Sequence, residues 1–161
     1  MEERRSTADL FDAAGGRCQS CGTQFRQFGG RRAFFGRIHT VQCRDDNLLV
    51  RRLLETEGNG SVVVVDGGGS LGSALLGDKL AELAARHGWT GIVIFGAVRD
   101  SAALANVPVG VKALGTNPRR SAKLGVGQMD VPVTFGGATF TPGHWLYSDD
   151  DGILVTDEPL A

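Results

Sequence analysis

Between Gly77 and Asp100 the apolar residues first follow a helical period and then form a continuous run. The helical part repeats at i, i+3, i+4 and i+7, the spacing of one buried face, at Leu80, Leu83, Ala84 and His87. Asp78 comes just before this stripe and is expected to cap the helix, because its carboxylate can accept a free N–H group. Gly88 occupies the position where a left-handed residue ends a helix, so that Trp89 folds back onto the last turn.

Residues 92–95 follow as an unbroken apolar run, and residues 96–98 extend it. Such a run predicts a strand of a parallel sheet that is covered on both faces. Arg99 and Asp100 stand at its carboxyl end, the edge where open α/β sheets bind ligands. The predicted helix start, residues 77–80, would offer N–H groups to an anion, and Asp100 a hard oxygen ligand to a divalent ion. The alternative is that Arg99 and Asp100 form an ordinary surface turn.

The remaining pattern predicts an α/β fold with a β-rich C-terminal part. Ser6 or Thr7 is expected to cap a first helix that Gly15 ends. A strand at 36–43, a helix at 46–57 and a continuous apolar strand at 61–65 form a βαβ unit. A short helix at 101–105 and a strand at 109–114 come next, and residues 131–156 read as strands joined by Gly-Gly, Pro-Gly and Asp-Gly turns.

Composition narrows the class of protein. At 161 residues with 42% hydrophobic content, the chain is expected to form one domain over residues 1–161. A formal charge of −1 gives no indication of direct nucleic-acid or membrane binding. Neither a membrane span nor a signal peptide is recognisable, so a cytoplasmic protein is expected.

Four residues offer a different metal site. Cys18, Cys21, His39 and Cys43 supply the ligand types of a structural zinc. His39 and Cys43, however, fall in one predicted strand, where residues four apart lie about 13 Å from each other. Reduced thiols are therefore the preferred interpretation.

Two motifs, one rich in glycine and one rich in aromatic residues, are of kinds that occur in nucleotide-binding or nucleic-acid-binding proteins. Gly67, Gly69 and Gly72 satisfy G-x-G-x-x-G after an apolar strand, but the next helix is expected only at Asp78, which disfavours a dinucleotide site. The segment QFRQFGGRRAFF mixes phenylalanine with arginine, as base-stacking surfaces do. Without a wider basic field, packing of the aromatic rings at a core edge or subunit contact is preferred.

Three further polar clusters have ordinary structural interpretations. Arg119, Arg120 and Lys123 are expected in a solvated loop. The run of three aspartates at 149–151 has the wrong spacing for a calcium loop and favours a hairpin turn with Gly152. His144 has no evident nucleophile to pair with and is expected to be structural.

The chain nevertheless resembles a known family over nearly its whole length. STADLFDA, VVVVDGGGSLGSALLGDKLAELAARHGWTGIVIFGAVRD, GTNPRR, GQMDVPVTFGG and PGHWLYSDDDGILV are similar to the family that unites the regulator of ribonuclease activity A with class II 4-hydroxy-4-methyl-2-oxoglutarate aldolases. The resemblance implies a swivelling β/β/α sandwich with mixed sheets, assembled as a homotrimer or a hexamer, with the site near a subunit interface. Some members carry a menaquinone methyltransferase label, for which the sequence shows no cofactor site.

The family's aldolases share an aspartate, twenty intervening residues and then Arg-Asp, and Asp78 precedes Arg99 and Asp100 with that spacing. The resemblance implies three catalytic residues, Asp78, Arg99 and Asp100. It also implies that substrate is bound by Gly77, Asp78, Lys79, Leu80 and Arg99. Asp100 would hold the divalent cation, magnesium or manganese.

Two functions follow from the resemblance. The first is cleavage of 4-hydroxy-2-oxo acids to pyruvate, with decarboxylation of oxaloacetate, in which a divalent ion acts as Lewis acid and no Schiff-base lysine is needed. The second is a non-catalytic trimer that binds and inhibits a ribonuclease of the ribonuclease E type. Regulator-type members can lack the aspartate after the arginine, so Asp100 favours catalysis.

Overall fold

A computed structural model describes residues 5–160. In this part of the chain the helices are α1 (Thr7–Ala14), α2 (Leu48–Leu54), α3 (Asp78–Arg86) and α4 (Ser101–Leu104), with a 3-10 turn at Gly15–Arg17. The strands are β1 (Gln19–Ser20), β2 (Arg26–Gln27), β3 (Phe34–Gln42), β4 (Val62–Asp66), β5 (Ala74–Leu76), β6 (Gly91–Val98), β7 (Gly110–Thr116), β8 (Gln128–Met129), β9 (Val133–Phe135), β10 (Ala138–Phe140), β11 (Trp145–Asp149) and β12 (Gly152–Thr156). None of these helices is long and apolar enough to cross a membrane.

Strand β3 joins a parallel sheet to an antiparallel one. Its residues from Ile38 onward pair in parallel with β4, whereas Phe34 to Arg37 pair antiparallel with β11. The strand order is β1-β12-β11-β3-β4-β6-β7-β2, with β5 added beside β6, β8 beside β3, and β9 and β10 forming a separate hairpin. The predicted α/β class with mixed sheets and a β-rich C-terminal part is confirmed.

The parallel strands are covered on both faces, as their continuous apolar sequences predict. In β4, Val63 and Val65 pack with the helices, while Val62 and Val64 pack with the C-terminal strands. All four side chains are fully buried. The chain thus forms a layer of helices, a central sheet and a second β layer, which agrees with the sandwich that the resemblance implies.

Phe34 fixes the position of the second β layer against the central sheet. Its side chain is fully buried, and its ring lies over Gly91 of β6 and Gly110 of β7. A Cβ atom at either glycine would overlap that ring. The two glycines therefore act as a slot for one aromatic side chain. The predicted strand at 36–43 misses Phe34 because the register with β11 is a long-range contact.

Helix α3 begins and packs differently from the sequence prediction. Asp78 is its first helical residue and Gly77 occupies the cap position, so the expected Asp78 cap is wrong. The most deeply buried residues of α3 are Ala81 and Ala84, whereas Leu80 and Leu83 are only partly buried. The end of the helix is as predicted, because the Gly88 and Trp89 N–H groups bond to the Ala85 and Ala84 carbonyl oxygens.

Residues 45–47 hold together the loops that surround α3. Asp45 accepts hydrogen bonds from the Ser70 and Ser73 hydroxyls in the glycine-rich loop, at 2.9 and 2.8 Å. The buried Asp46 carboxylate accepts four backbone N–H groups, those of Leu48, Leu124, Gly125 and Val126. Because both side chains bond to loops rather than extend a helix, α2 starts at Leu48, two residues later than predicted.

The glycine-rich motif does not open a helix. After β4 the chain turns through Gly68 and Gly69, both with positive φ, and forms strand β5 before α3 begins. The next helix starts at Asp78, six residues after Gly72, where the sequence analysis expected it. A dinucleotide site would need the helix to begin at the third glycine of the motif.

The other polar clusters also take structural positions. Within residues 5–160 there is no group of three or more His, Cys, Asp or Glu side chains that could hold a metal ion, and Cys18, Cys21 and Cys43 are free thiols.

Asp149 accepts the N–H and the hydroxyl of Thr7 at the start of α1, and Asp150 pairs with Arg32. The aspartate run thus forms a hairpin turn that also ties α1 to β11.

We predict that Gly91→Ala lowers the free energy of unfolding by about 1–3 kcal/mol, the usual cost of overpacking a filled core. The new Cβ would force the Phe34 ring out of its slot. Urea unfolding followed by circular dichroism measures the change as a lower midpoint at an unchanged slope. Gly16→Ala is the matched control because no heavy atom lies within 4 Å of its added Cβ. Equal losses in the two variants would contradict the steric explanation.

We also predict that Asp46 makes the stability of the fold sensitive to acid. Burial alone would raise the pKa of this carboxyl, but the four backbone N–H donors outweigh it and lower the pKa below the ordinary value of 3.8. Because the folded pKa is lowered, the stabilisation is present at neutral pH and is lost as the pH falls through that lowered value. Asp46→Asn should therefore be less stable than wild type at pH 7 and should lose less of its remaining stability between pH 5 and 3.

Urea midpoints across this pH range measure the difference between the two proteins. Asp157→Asn is the control, since Asp157 is exposed and outside these contacts. Parallel pH curves for wild type and Asp46→Asn would contradict the assignment.

Candidate functional site

All six residues that the sequence singled out line one cavity of about 590 Å³. They are Gly77, Asp78, Lys79, Leu80, Arg99 and Asp100. The volume falls within the range of about 300–1,000 Å³ that is common for small-molecule sites. The structure thus shows that two segments twenty residues apart meet in space, while the catalytic and binding roles of these residues stay predictions.

Strand β5 is the element that brings the two segments together. It pairs in parallel with β6, Leu76 lies opposite Val98, and the Arg99 N–H bonds to the Leu76 carbonyl oxygen at 2.9 Å. Because the strands are parallel, the residues that follow each of them emerge at the same edge of the sheet. The start of α3 and the Arg99–Asp100 turn are therefore neighbours.

The Asp100 carboxylate caps helix α3 across Gly77. Its Oδ2 accepts the Asp78 N–H at 3.1 Å, which supplies the cap that the sequence analysis had assigned to Asp78 itself. An added Cβ at Gly77 would lie 2.6 Å from Oδ2, so the Asp100 carboxylate would have to move to admit it. Asp100 adopts a left-handed conformation with φ 58, which non-glycine residues rarely take and which is frequent at functional sites.

Fewer amide groups are free at the start of α3 than the sequence suggested. The Asp78 N–H is bonded to Asp100, and the Lys79 N–H bonds to Asp78 Oδ1 at 2.8 Å. The helix end would therefore act on an anion through its dipole and a reduced set of donors. Arg99, by contrast, is exposed and makes one long hydrogen bond within residues 5–160, from Nη1 to the Pro118 carbonyl oxygen at 3.4 Å.

The cavity contains basic residues that the sequence analysis placed in a solvated loop. Arg120 and Lys123 line its second wall, whereas Arg119 lies outside the lining. All three residues are exposed in the loop, so the prediction of a solvated loop is confirmed, and for two of them the loop also borders the cavity. Arg51 and Arg86 also border the cavity, from helices α2 and α3. No local pattern placed these residues at the cavity, because the loop reaches β5 only through long-range backbone contacts.

The site is strongly cationic although the chain is nearly neutral. Its lining carries six basic side chains against two carboxylates. The basic residues are Arg51, Lys79, Arg86, Arg99, Arg120 and Lys123; the acidic ones are Asp78 and Asp100. Such a cavity attracts small anions, and arginine in particular binds carboxylates through two parallel hydrogen bonds. A second groove of about 360 Å³, between α1 and β12, has no basic side chain in its lining and offers no comparable site.

A divalent cation fits the donor set in one specific way. Asp100 uses Oδ2 to cap α3, and both Asp100 and Asp78 line the cavity. Magnesium is commonly held by one or two carboxylates, with water and substrate oxygens completing its shell. The described residues therefore suit a cation that binds together with an oxygen-rich ligand, rather than one enclosed by protein ligands alone.

The chain is similar over nearly its full length to two solved structures. The chain is similar to a solved structure from Geobacillus kaustophilus HTA426, whose name is S-adenosylmethionine: 2-dimethylmenaquinone methyltransferase, with 46% identity, a TM-score of 0.95 and 97% of each chain covered. It is equally similar to the RNA-processing inhibitor RraA from Thermus thermophilus, with 46% identity, a TM-score of 0.94, and 100% and 96% of the two chains covered.

A more distant relative carries a related name. Streptomyces coelicolor RraAS2, described as an unusual member of the RNase ES inhibitor RraA protein family, is 26% identical with a TM-score of 0.73 over 92% of this chain and 78% of that one. The names give two different functions, a methyltransferase and an inhibitor of RNA processing or of a ribonuclease, while the fold is shared, so the names alone do not assign an activity. The family described as RraA-like, Aldolase/RraA, matches residues 7–155. The chain therefore belongs to the RraA-like family, which includes both aldolases and ribonuclease inhibitors.

Proposed function

We propose that the protein is a divalent-metal-dependent, class II pyruvate aldolase. Its substrates would be 4-hydroxy-2-oxo acids of the 4-hydroxy-4-methyl-2-oxoglutarate type, and it would also decarboxylate oxaloacetate. The observation that carries this proposal is the contact across Gly77, which puts Asp78, Arg99 and Asp100 at one cavity. The cationic lining supports a substrate with several carboxylate or keto oxygens.

Arg99 and the start of α3 are the groups that bind the pyruvyl half of the substrate. The guanidinium donates to the C1 carboxylate and keto oxygens, because its planar fork matches two acceptors. Gly77 leaves room for the ligand beside the backbone, and the positive end of the helix dipole adds to the attraction. Lys79 and Leu80 border the same space, as a cationic and an apolar contact respectively.

Bond cleavage then requires stabilisation of one developing charge. The C3–C4 bond breaks, its electron pair forms the enolate of pyruvate, and C4 becomes a carbonyl as its hydroxyl loses a proton. Asp78, acting directly or through a water, is the candidate base for that proton. In oxaloacetate the same bond breaks to release carbon dioxide. Arg99 stabilises the enolate oxygen in both reactions, since a charge-assisted donor there acts mainly in the transition state.

Asp100 would hold the metal, magnesium or manganese, which when bound supplies Lewis-acid polarisation of the keto group. The Asp100 side chain is already fixed by its bond to the Asp78 N–H and by its left-handed backbone. A shortened or neutral side chain at position 100 would thus change both the cation site and the cap of α3.

A second function is favoured by the names of the relatives. Two of the similar proteins are named as inhibitors of RNA processing or of a ribonuclease. We accordingly keep as the alternative a non-catalytic regulator that binds a ribonuclease of the ribonuclease E type. Both proposals place the protein in the cytoplasm as a homotrimer or hexamer, and the exposed Leu124 and Val126, which follow Lys123 in the chain, would supply apolar surface for contacts between copies.

We predict that Arg99→Ala lowers kcat/KM for oxaloacetate by at least about a hundredfold, because it removes a donor to the developing enolate. Pyruvate release, coupled to lactate dehydrogenase, measures the rate in the presence of magnesium. Arg52→Ala is the matched control, because Arg52 is an exposed arginine on α2 outside the cavity lining. A loss below about threefold would place Arg99 outside the reaction.

Metal dependence separates the two functions. We expect activity to disappear on addition of a chelator and to return with magnesium or manganese, and Asp100→Asn to lose it even with metal in excess. Activity that survives chelation would contradict the metal assignment. A wild-type protein that releases no pyruvate but binds the catalytic part of a ribonuclease E type enzyme, measured by its inhibition of RNA cleavage, would favour the regulator.

A further inference from the structure

The Arg99 guanidinium is oriented by contacts on two sides. An added Cβ at Gly77 would lie 3.4 Å from Arg99 Cγ and 3.5 Å from Nε, so the side chain passes directly beside the Gly77 backbone. At its far end, Nη1 donates to the Pro118 carbonyl oxygen at 3.4 Å. Within residues 5–160 Arg99 forms no ion pair with a carboxylate, so this carbonyl oxygen is the protein acceptor that orients the guanidinium.

The direction of the Pro118 carbonyl depends in turn on Asn117. Asn117 Oδ1 accepts the Arg119 N–H at 2.9 Å, and this bond closes a turn with Pro118 at its centre. The Asn117 N–H bonds to the Val98 carbonyl oxygen at 3.0 Å, which fastens the start of the turn to the end of β6. The Arg119 carbonyl oxygen accepts the Ala74 N–H at 2.7 Å, which fastens its end to β5. The Pro118 carbonyl therefore lies between two anchored residues.

The Asn117 side chain also reaches the glycine-rich loop. Its Nδ2 donates to the Leu71 carbonyl oxygen at 2.7 Å. Asp45 holds the same loop from another side, through the hydroxyls of Ser70 and Ser73. Both polar groups of the Asn117 amide are thus bonded to backbone, one to its own turn and one to a neighbouring loop. An amide that is engaged at both groups has one direction, and it fixes the turn more firmly than the bond to Arg119 alone.

The remaining donors of Arg99 suit the role that the proposed function gives it. Nε and Nη2 have no acceptor among the described residues, so they stay available for carboxylate and keto oxygens. A guanidinium that is already bonded at Nη1 offers its other donors in a defined plane. Catalysis by such a donor depends on its placement, because a misplacement of about 1 Å can cost about a hundredfold in rate.

We propose that Asn117 is a positioning residue for Arg99 and acts through the Pro118 carbonyl. It holds the guanidinium where the enolate charge develops, and it does so from outside the cavity lining, to which neither Asn117 nor Pro118 belongs. The catalytic consequence of this inference rests on the proposed function. The ordering of Arg99 by Asn117 is a physical property of the ligand-free protein and can be measured without substrate.

The first test measures the motion of the Arg99 side chain in the ligand-free protein, by NMR relaxation of the nitrogen in its Nε–H group. Loss of the signal in Arg99→Lys identifies it. We expect an order parameter above about 0.6 in wild type and a decrease of at least about 0.2 in Asn117→Ala. Asn106→Ala is the matched control and should leave the value unchanged, since Asn106 is exposed and its side chain makes no hydrogen bond to the described residues.

The second test is a double-mutant cycle on pyruvate release from oxaloacetate in the presence of magnesium. Asn117→Ala should lower kcat by about tenfold or more and change KM by less than about threefold, because Arg99 acts mainly in the transition state. In an Arg99→Ala background the same substitution should change kcat by less than about twofold. A merely structural role would lower kcat equally in both backgrounds.

Asn117→Ser supplies a conservative variant that keeps the test decisive if Asn117→Ala folds poorly. The serine hydroxyl can accept the Arg119 N–H in a similar but weaker turn, whereas it lacks an amide donor for Leu71. We expect its order parameter and kcat to lie between those of wild type and Asn117→Ala. In the Arg99→Ala background Asn117→Ser should leave kcat unchanged.

The two measurements separate the positioning role from the proposed function. An unchanged Arg99 order parameter in the Asn117 variants, or equal losses of kcat in the two backgrounds, would overturn the positioning role while the aldolase proposal stands. If wild type releases no pyruvate from oxaloacetate, the proposed function fails, and the relaxation measurement alone decides whether Asn117 orders Arg99.

Discussion

The contact between the Asp100 carboxylate and the start of helix α3 is the constraint on which the candidate site depends. It forms because β5 and β6 are parallel neighbours and because Gly77 leaves the Asp100 carboxylate room to approach the helix. The same contact gives α3 the cap that its own sequence lacks and holds Asp100 in a left-handed conformation. One hydrogen bond therefore links the stability of a helix to the direction of a candidate metal ligand.

The layered core holds in position the strands that make this contact. Helices cover one face of the parallel strands and the C-terminal β layer covers the other, with Phe34 seated over two glycines to fix their separation. Outside the core, residues 45–47 tie the glycine-rich loop, α2 and the basic loop together through the partly buried Asp45 and the buried Asp46 and Asn47. Hydrogen bonds to a buried carboxylate or amide are costly to break, so the loops around the cavity have little freedom to move.

Family membership and geometry answer different questions about function. The RraA-like family includes proteins named as ribonuclease inhibitors, and a shared fold does not assign one activity to all of its members. The geometry is more specific, because it concentrates positive charge and two carboxylates in one cavity of a nearly neutral chain. A surface that only binds another protein has no evident need for such a concave, cationic arrangement. This is the physical ground for placing the aldolase proposal first.

Local patterns in the sequence determined the elements: the buried strands, the glycine end of α3, the early cap at Ser6 and the spacing of Asp78 to Arg99. These features depend on neighbours a few residues apart, so periodicity and cap chemistry suffice to predict them. Only the tertiary structure decided that Asp100 caps α3, that Leu83 borders a cavity, and that Arg120 and Lys123 line it. Those outcomes depend on strand pairing and loop contacts between residues far apart in the chain, which no local pattern records.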